Sequence, residues 1–298
     1  MELEKEFLMS FKVRERIETF RVQNPVNWSL LEQDYALSWM LYGIENVPKL
    51  NKHLVFKGGT CLKKCYFGDY RFSQDLDFSV QGNHPTGNEL ESLVAESCKI
   101  ATQTLQATKN NITFACERYT EKRPHPENQE AFKIYVQYPW QREPLTCVMV
   151  EITLEEVVYL PVQSRPLIHG YGNEIEAIIQ TYSLEEIIAE KISALLGLSK
   201  KLHERGWARS RARDYYDLWR MFGSYRDSIQ TELIPDLTAK KCDRKNLVFL
   251  SFEDIFAENL MKDLDAAWEQ WVGPLMVELP VKQLVIKELR EFFNEVFS

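Results

Sequence analysis

Apolar spacing divides this chain near residue 160. Before that point helical and strand periods alternate, and beyond it the spacing is helical to the end. Residues 1–26 predict a charged amphipathic helix and then an extended stretch broken at Pro25. Ser29-Leu-Leu-Glu32 reads as a capping box, in which each side chain satisfies a free backbone N–H of the first turn. It opens a helix to about residue 46, crowded with Leu30, Tyr35, Leu37, Trp39, Leu41 and Tyr42, which Pro48 ends. Residues 53–57 predict an apolar strand running into Gly58-Gly59-Thr60, followed by a short helix over 60–66. A second strand carries Asp75-Leu-Asp77-Phe.

A turn at 82–87 leads into a long helix over 88–109, then strands at 112–118, 131–138 and 146–154. The prolines and polarity of Lys122-Arg-Pro-His-Pro-Glu-Asn128 place a hairpin loop between the first two. Pro161, Pro166, His169 and Gly170-Tyr-Gly172 mark a connector. Ser183-Leu-Glu-Glu186 is a second capping box, opening a helix to about residue 201, and further helices follow from 213, over 252–271 and over 281–297. The expected division is an α/β domain over 1–160 and a helical domain over 161–298.

Chemistry concentrates in residues 53–80. Strand side chains alternate faces, so Asp75 and Asp77 share one face and Leu76 and Phe78 the other. Two adjacent carboxylates repel, and a divalent cation offsets that repulsion; oxygen-only ligands suit Mg²⁺ or Mn²⁺ rather than zinc. The glycines admit close approach of a ligand, and backbone N–H groups at a helix start make an anion site. Metal beside phosphate is the expectation.

Three further features carry two readings each. Glu151 interrupts an apolar strand and is either paired or metal-bound, or lies on the exposed face of an antiparallel sheet. Lys191 sits in the apolar stripe of its helix, where a buried ammonium needs a partner; otherwise it snorkels. Residues 200–213 hold six Lys/Arg and one acid in fourteen positions, with Trp207 as a stacking surface. They either engage RNA phosphates or form a solvated connecting loop. In the helix beyond, Arg213 is spaced to pair with Asp217 at i, i+4.

The formal charge of −8 over 298 residues argues against non-specific coating of nucleic acid, though not against a local basic patch. Six cysteines without paired CxxC spacing read as reduced cytosolic thiols. No apolar run approaches the roughly 18–20 residues needed to span a membrane. A cytoplasmic protein is expected.

Lys57-Gly-Gly-Thr60, Arg71-Phe-Ser-Gln-Asp75-Leu-Asp77-Phe, Glu151, Glu190-Lys191 and Arg213-Asp214-x-x-Asp217-Leu together resemble the AbiEii/AbiGii toxin family, over roughly residues 30–220. These are nucleotidyltransferase-fold proteins of type IV toxin–antitoxin and abortive-infection systems. The resemblance implies an α/β (α+β) polymerase-beta-like domain with a mixed sheet, followed by an all-helical C-terminal domain that supplies the other half of a cleft. It makes Asp75, Asp77 and Glu151 the metal carboxylates for Mg²⁺ or Mn²⁺. Gly58, Gly59, Thr60, Arg71 and Ser73 then belong to nucleotide binding, Lys191 adds a charge on the phosphates, and Asp214 acts as base or holds Lys191. The implied activity moves NMP from an NTP to RNA, at the 3′ end of tRNA, with an antitoxin encoded nearby. Lys200, Lys201, Arg205, Arg209, Arg211 and Arg213 are the candidate RNA contacts. The competing readings are a catalytically silent nucleotide-binding protein acting through a partner, and a DxD glycosyltransferase.

Overall fold

The computed structural model describes residues 2–120, 128–172 and 175–297, with side chains from residue 12. It separates into two compact units, Met1–Tyr182 and Ser183–Ser298.

The first unit opens with α1 (Glu2–Gln23), α2 (Trp28–Glu45) and α3 (Pro48–His53). Strand β1 (Leu54–Lys57) leads into the short helix α4 (Gly58–Cys61), which widens into a π-helical turn at Leu62–Phe67. Strand β2 (Asp75–Val80) and helix α5 (Gly87–Ala107) follow, then β3 (Thr113–Tyr119), β4 (Gln129–Gln137), β5 (Thr146–Thr153), β6 (Gln163–Pro166) and β7 (Ile178–Thr181). The seven strands form one mixed sheet in the order β3-β4-β5-β2-β1-β7-β6. β2 runs antiparallel to β1 and parallel to β5, while β3, β4 and β5 form an antiparallel meander.

Strand alternation gives the sheet two unlike faces. Leu76, Phe78, Val148, Val150, Ile152, Phe132, Ile134 and Val136 are buried on one, and α2 and α5 pack on this side of the sheet. These helices come together at Gly43, where an added Cβ would stand 2.3 Å from the Ser97 carbonyl oxygen. On the other face Asp75, Asp77, Cys147, Met149, Glu151, Lys133 and Tyr135 are all partly exposed.

Several expectations change. Helix α2 begins at Trp28, and its N-cap is Asn27, whose side chain accepts from the Ser29 N–H. Glu32 does not close a capping box: its Oε1 accepts from the indole N–H groups of Trp28 (2.7 Å) and Trp140 (2.6 Å), so packing against the β4–β5 connection takes it away from the helix end. α2 ends at Glu45, close to the expected residue 46, and Pro48 also stands in the first turn of α3, where its missing N–H costs nothing. The region beyond residue 160 begins with β6 and β7, so the first unit reaches Tyr182. These short edge strands carry too few residues to show a period. The hairpin loop expected at 122–127 lies outside the described residues.

The second unit contains α6 (Leu184–Arg205), α7 (Ala212–Tyr225), α8 (Ile234–Arg244), α9 (Glu258–Trp271) and α10 (Lys282–Val296). Ser183 caps α6 by accepting from the Glu186 N–H at 3.2 Å, but the Glu186 carboxylate pairs instead with buried Lys241 of α8 at 2.9 Å. Gly206, at φ +73°, ends α6 in the left-handed conformation that glycine adopts without penalty. No helix among the described residues is long and apolar enough to cross a membrane.

Candidate active site

At the end of β1 the chain turns at Gly58, whose φ of +79° favours glycine. The turn packs tightly: a Cβ on Gly58 would lie 2.6 Å from Asp77 Oδ2. A Cβ on Gly59 would lie 2.4 Å from a terminal nitrogen of Arg71, so the buried guanidinium rests against that glycine. Thr60 is buried, and its hydroxyl donates to the Asp75 carbonyl at 2.5 Å, tying the helix start to the start of β2. Ser73 is also buried, in the approach to β2. Gln74 donates to Gln33 of α2 at 2.9 Å, and Gln33 in turn donates to the Cys147 carbonyl at 3.2 Å. The entry to β2 is thereby held against β5.

The strand register brings the three predicted carboxylates onto one patch. Asp77 is the Cα partner of Glu151 across the parallel β2–β5 pair, and Asp75 is the partner of Met149. Lys57 is the Cα partner of Asp77 on the opposite side. The order across the sheet is therefore Lys57, Asp77, Glu151, at strand spacings of about 4.8 Å. Lys57 forms a buried ion pair with Glu156, whose Oε2 also accepts from Ser79 at 3.0 Å; the Tyr182 hydroxyl donates to Ser79 at 2.7 Å.

Among the described residues no group of three or more His, Cys, Asp or Glu side chains forms a ready-made metal cage. A hard cation such as Mg²⁺ needs only one or two carboxylates and takes its other ligands from water and substrate phosphates. The oxygen-only set on this patch is chemically suited to that demand. A cavity of about 350 Å³ elsewhere in the unit is lined by Asp34, Lys63, Lys64, Asp69 and Tyr70 rather than by these carboxylates. There Lys64 and Asp34 pair at 2.7 Å, fixing the turn that follows the glycines to α2. Burial would raise the Asp34 carboxyl, but Lys64 and Lys63 outweigh it and hold it below its ordinary value.

In the second unit Lys191 is buried and partnered rather than snorkelling. Its ammonium lies 2.8 Å from Asp214 Oδ1 and 2.6 Å from Asp217 Oδ2. Asp217, fully buried, is thus a partner of Lys191. Arg211 adds a contact to Asp214 at 3.2 Å. Burial opposes ionisation of Asp214, but Lys191 and Arg211 prevail and hold its carboxyl well below the usual range.

The basic run occupies the end of α6 and the segment before α7. Lys200, Lys201, Arg205, Arg209 and Arg211 are exposed, Arg213 is half-buried, and Trp207 is 74 % exposed. Lys201 is held below its ordinary pKa by partial burial and then by the charges of Arg211, Arg205 and Lys245. Lys245, distant in sequence, thus adds to the patch.

The model of the nucleotidyl transferase AbiEii toxin family of type IV toxin–antitoxin systems matches residues 39–295. The chain belongs to the AbiEii family. Among solved structures it is similar to MenT4, a nucleotidyltransferase toxin from Mycobacterium tuberculosis H37Rv, with a TM-score of 0.63 and 21 % identity over 90 % of this chain and 84 % of that one. No curated protein matches it in sequence.

The mixed sheet and following helices of this AbiEii protein are therefore those of a nucleotidyltransferase toxin. The family works on a nucleotide substrate with a divalent metal and pairs with an antitoxin. Lys57 and Asp217 stand within the sequence motifs, whereas Glu156, Ser79 and Lys245 have no motif to mark them for the site. Lys57 precedes the glycines and carried a signal. Glu156 and Lys245 did not, because their partners are distant along the chain.

Proposed function

We propose that this AbiEii protein transfers NMP from an NTP to RNA, releasing pyrophosphate, with the 3′ end of tRNA as the acceptor that the family resemblance implies. The observation that carries the reading is the pairing of Asp77 with Glu151 on the face where Gly58 meets the Asp77 carboxylate.

Asp75 and Asp77 supply carboxylate oxygens on the nucleotide side, and Glu151 supplies one on the acceptor side, one strand away. Mg²⁺ held there would neutralise charge on the phosphates during in-line attack. Gly58 and Gly59 let the triphosphate approach the backbone, and the guanidinium of Arg71 beside Gly59 offers it charge-assisted hydrogen bonds. Thr60 contributes by positioning, since its hydroxyl holds the Asp75 carbonyl. Ser73 belongs to the same nucleotide-binding approach. Lys191 is assigned a point charge for phosphate, and Asp214 and Asp217 set its position. The exposed cations from Lys200 to Arg213 bind the RNA backbone.

The test is incubation with labelled NTPs, Mg²⁺ and total RNA. Wild-type protein labels RNA, and Asp75→Ala abolishes the signal. Labelling that persists in Asp75→Ala sinks the assignment.

A further inference from the structure

The exposed face of the β3-β4-β5 meander continues directly from the acidic patch. The register sets out two rows across it. The first runs Asp77, Glu151, Ala131, Tyr119, and the second runs Asp75, Met149, Lys133, Glu117. Tyr135 stands on the same face, paired with Cys147. Strand spacing puts the Tyr119 backbone roughly 14 Å from that of Asp77, three strands away. These side chains are not core: Tyr119 is 38 % exposed, and Lys133, Tyr135 and Met149 are half-exposed. The Lys133 ammonium stands 4.9 Å from the centre of the Tyr119 ring, so a cation and a π surface are offered together. Glu117 adjoins Tyr135 and Lys133 supplies the opposing charge there.

Two tyrosines, a methionine and a lysine on an open sheet are an arrangement suited to unstacked bases. Aromatic faces stack any base, and an ammonium answers the phosphate between two of them. A duplex cannot use such a surface, because its bases are already stacked on one another. Contiguity with the carboxylates would set the polarity of a strand bound there, with its reacting end over Glu151 and the nucleotides just inside that end over β4 and β3.

We propose that Tyr119, Lys133, Tyr135 and Met149 form the acceptor-binding platform, taking the single-stranded 3′ end of the RNA by base stacking. This rests on the nucleotidyltransfer reading and adds which residues select the acceptor, and in what form.

The experiment measures binding of a fluorescent single-stranded oligoribonucleotide to the full chain by anisotropy, without NTP, and separately the KM for RNA in the transfer assay. Tyr119→Leu/Tyr135→Leu weakens oligonucleotide binding by about 100-fold, about tenfold for each aromatic on which a base no longer stacks. The KM for RNA rises in step and the KM for NTP is unchanged. Tyr119→Phe/Tyr135→Phe retains wild-type binding, which separates stacking from a folding defect. If the wild type transfers to RNA but the Leu variant keeps its KM, the platform is overturned and the reaction stands. If the wild type transfers nothing while the Leu variant still loses oligonucleotide binding, the reaction fails and the platform stands. Tighter binding of a blunt duplex than of the single strand overturns the platform.

Discussion

Gly58 and Asp77 are packed so closely that the missing side chain of one makes room for the carboxylate of the other: a Cβ on Gly58 would come within 2.6 Å of Asp77 Oδ2. The clash is compounded by φ of +79°, which costs a non-glycine residue about 1–2 kcal/mol. Gly58→Ala therefore displaces the Asp77 carboxylate while leaving the sheet core alone. Nucleotidyl transfer should fall by about 100-fold, as for a misplacement of roughly 1 Å at a reacting centre, with a far smaller fractional loss in stability to urea. An alanine variant of wild-type activity would show that this carboxylate need not be held where it is.

The pairing of Asp77 with Glu151 makes a distinct prediction about cations. Replacing Asp77 by Asn removes one of two adjacent negative charges without changing shape, so the melting temperature without metal should stay level or rise. Millimolar Mg²⁺ should raise the melting temperature of the wild type by binding the native state, and much less that of Asp77→Asn. Equal Mg²⁺ stabilisation of the two proteins would remove Asp77 from the metal assignment.

Lys191 lies against Asp214 and Asp217, both buried. Lys191→Met leaves two carboxylates without this cation and should destabilise the second unit by about 3–5 kcal/mol, the usual cost of breaking a buried pair. A loss below about 1 kcal/mol in urea unfolding would show that the pair is not coupled to folding. Asp217→Asn added to Lys191→Met should recover part of that loss.

The pH dependence of the same pair has a definite sign. Asp214 is held below its unfolded value, so its contribution is fully present above that value, near 3.8, and is lost as pH falls through its lower folded pKa. Wild-type stability should therefore decline only in acid. In Lys191→Met only Arg211 still opposes the effect of burial, so the folded pKa of Asp214 should rise towards its unfolded value and the decline in acid should weaken. Urea midpoints across pH 3–8 test this; parallel curves for the two proteins would contradict it.

Gly43 carries a prediction about the fold alone. Its Cβ would press to 2.3 Å on the Ser97 carbonyl, which is backbone and cannot swing away. Gly43→Ala should cost about 1–3 kcal/mol through displacement of α2 from α5, despite alanine's better helix propensity. An unchanged or higher melting temperature would mean that the helix pair relaxes freely.

The basic run is tested by salt. If Lys201 and Arg205 meet phosphates, the double substitution to alanine should weaken RNA binding and flatten its salt dependence by about one unit of slope per contact. An unchanged slope would return the run to a solvated helix end, where basic residues are in any case favoured by the helix dipole.

Local periodicity was enough to locate β2 and β5, because a two-residue alternation is written into neighbouring side chains. It placed Asp75 and Asp77 on one face and Glu151 on the face opposite Val150 and Ile152. The motifs also pointed to the family, since Lys57-Gly-Gly-Thr60 and the two aspartates stand close together in the chain. Local pattern misread Glu32, whose spacing from Ser29 satisfied a capping box while two indoles, one of them 108 residues away, claimed its carboxylate. It had no access to β6 and β7, which are strands by virtue of the edge they pair with. What tertiary structure alone decided is which strands are neighbours. Asp77 faces Glu151 because β2 and β5 pair in parallel, and Lys191 takes Asp217 because α6 meets α7. Register and helix contact are long-range choices, set by burying whole apolar faces together, and single-chain spacing carries no record of them.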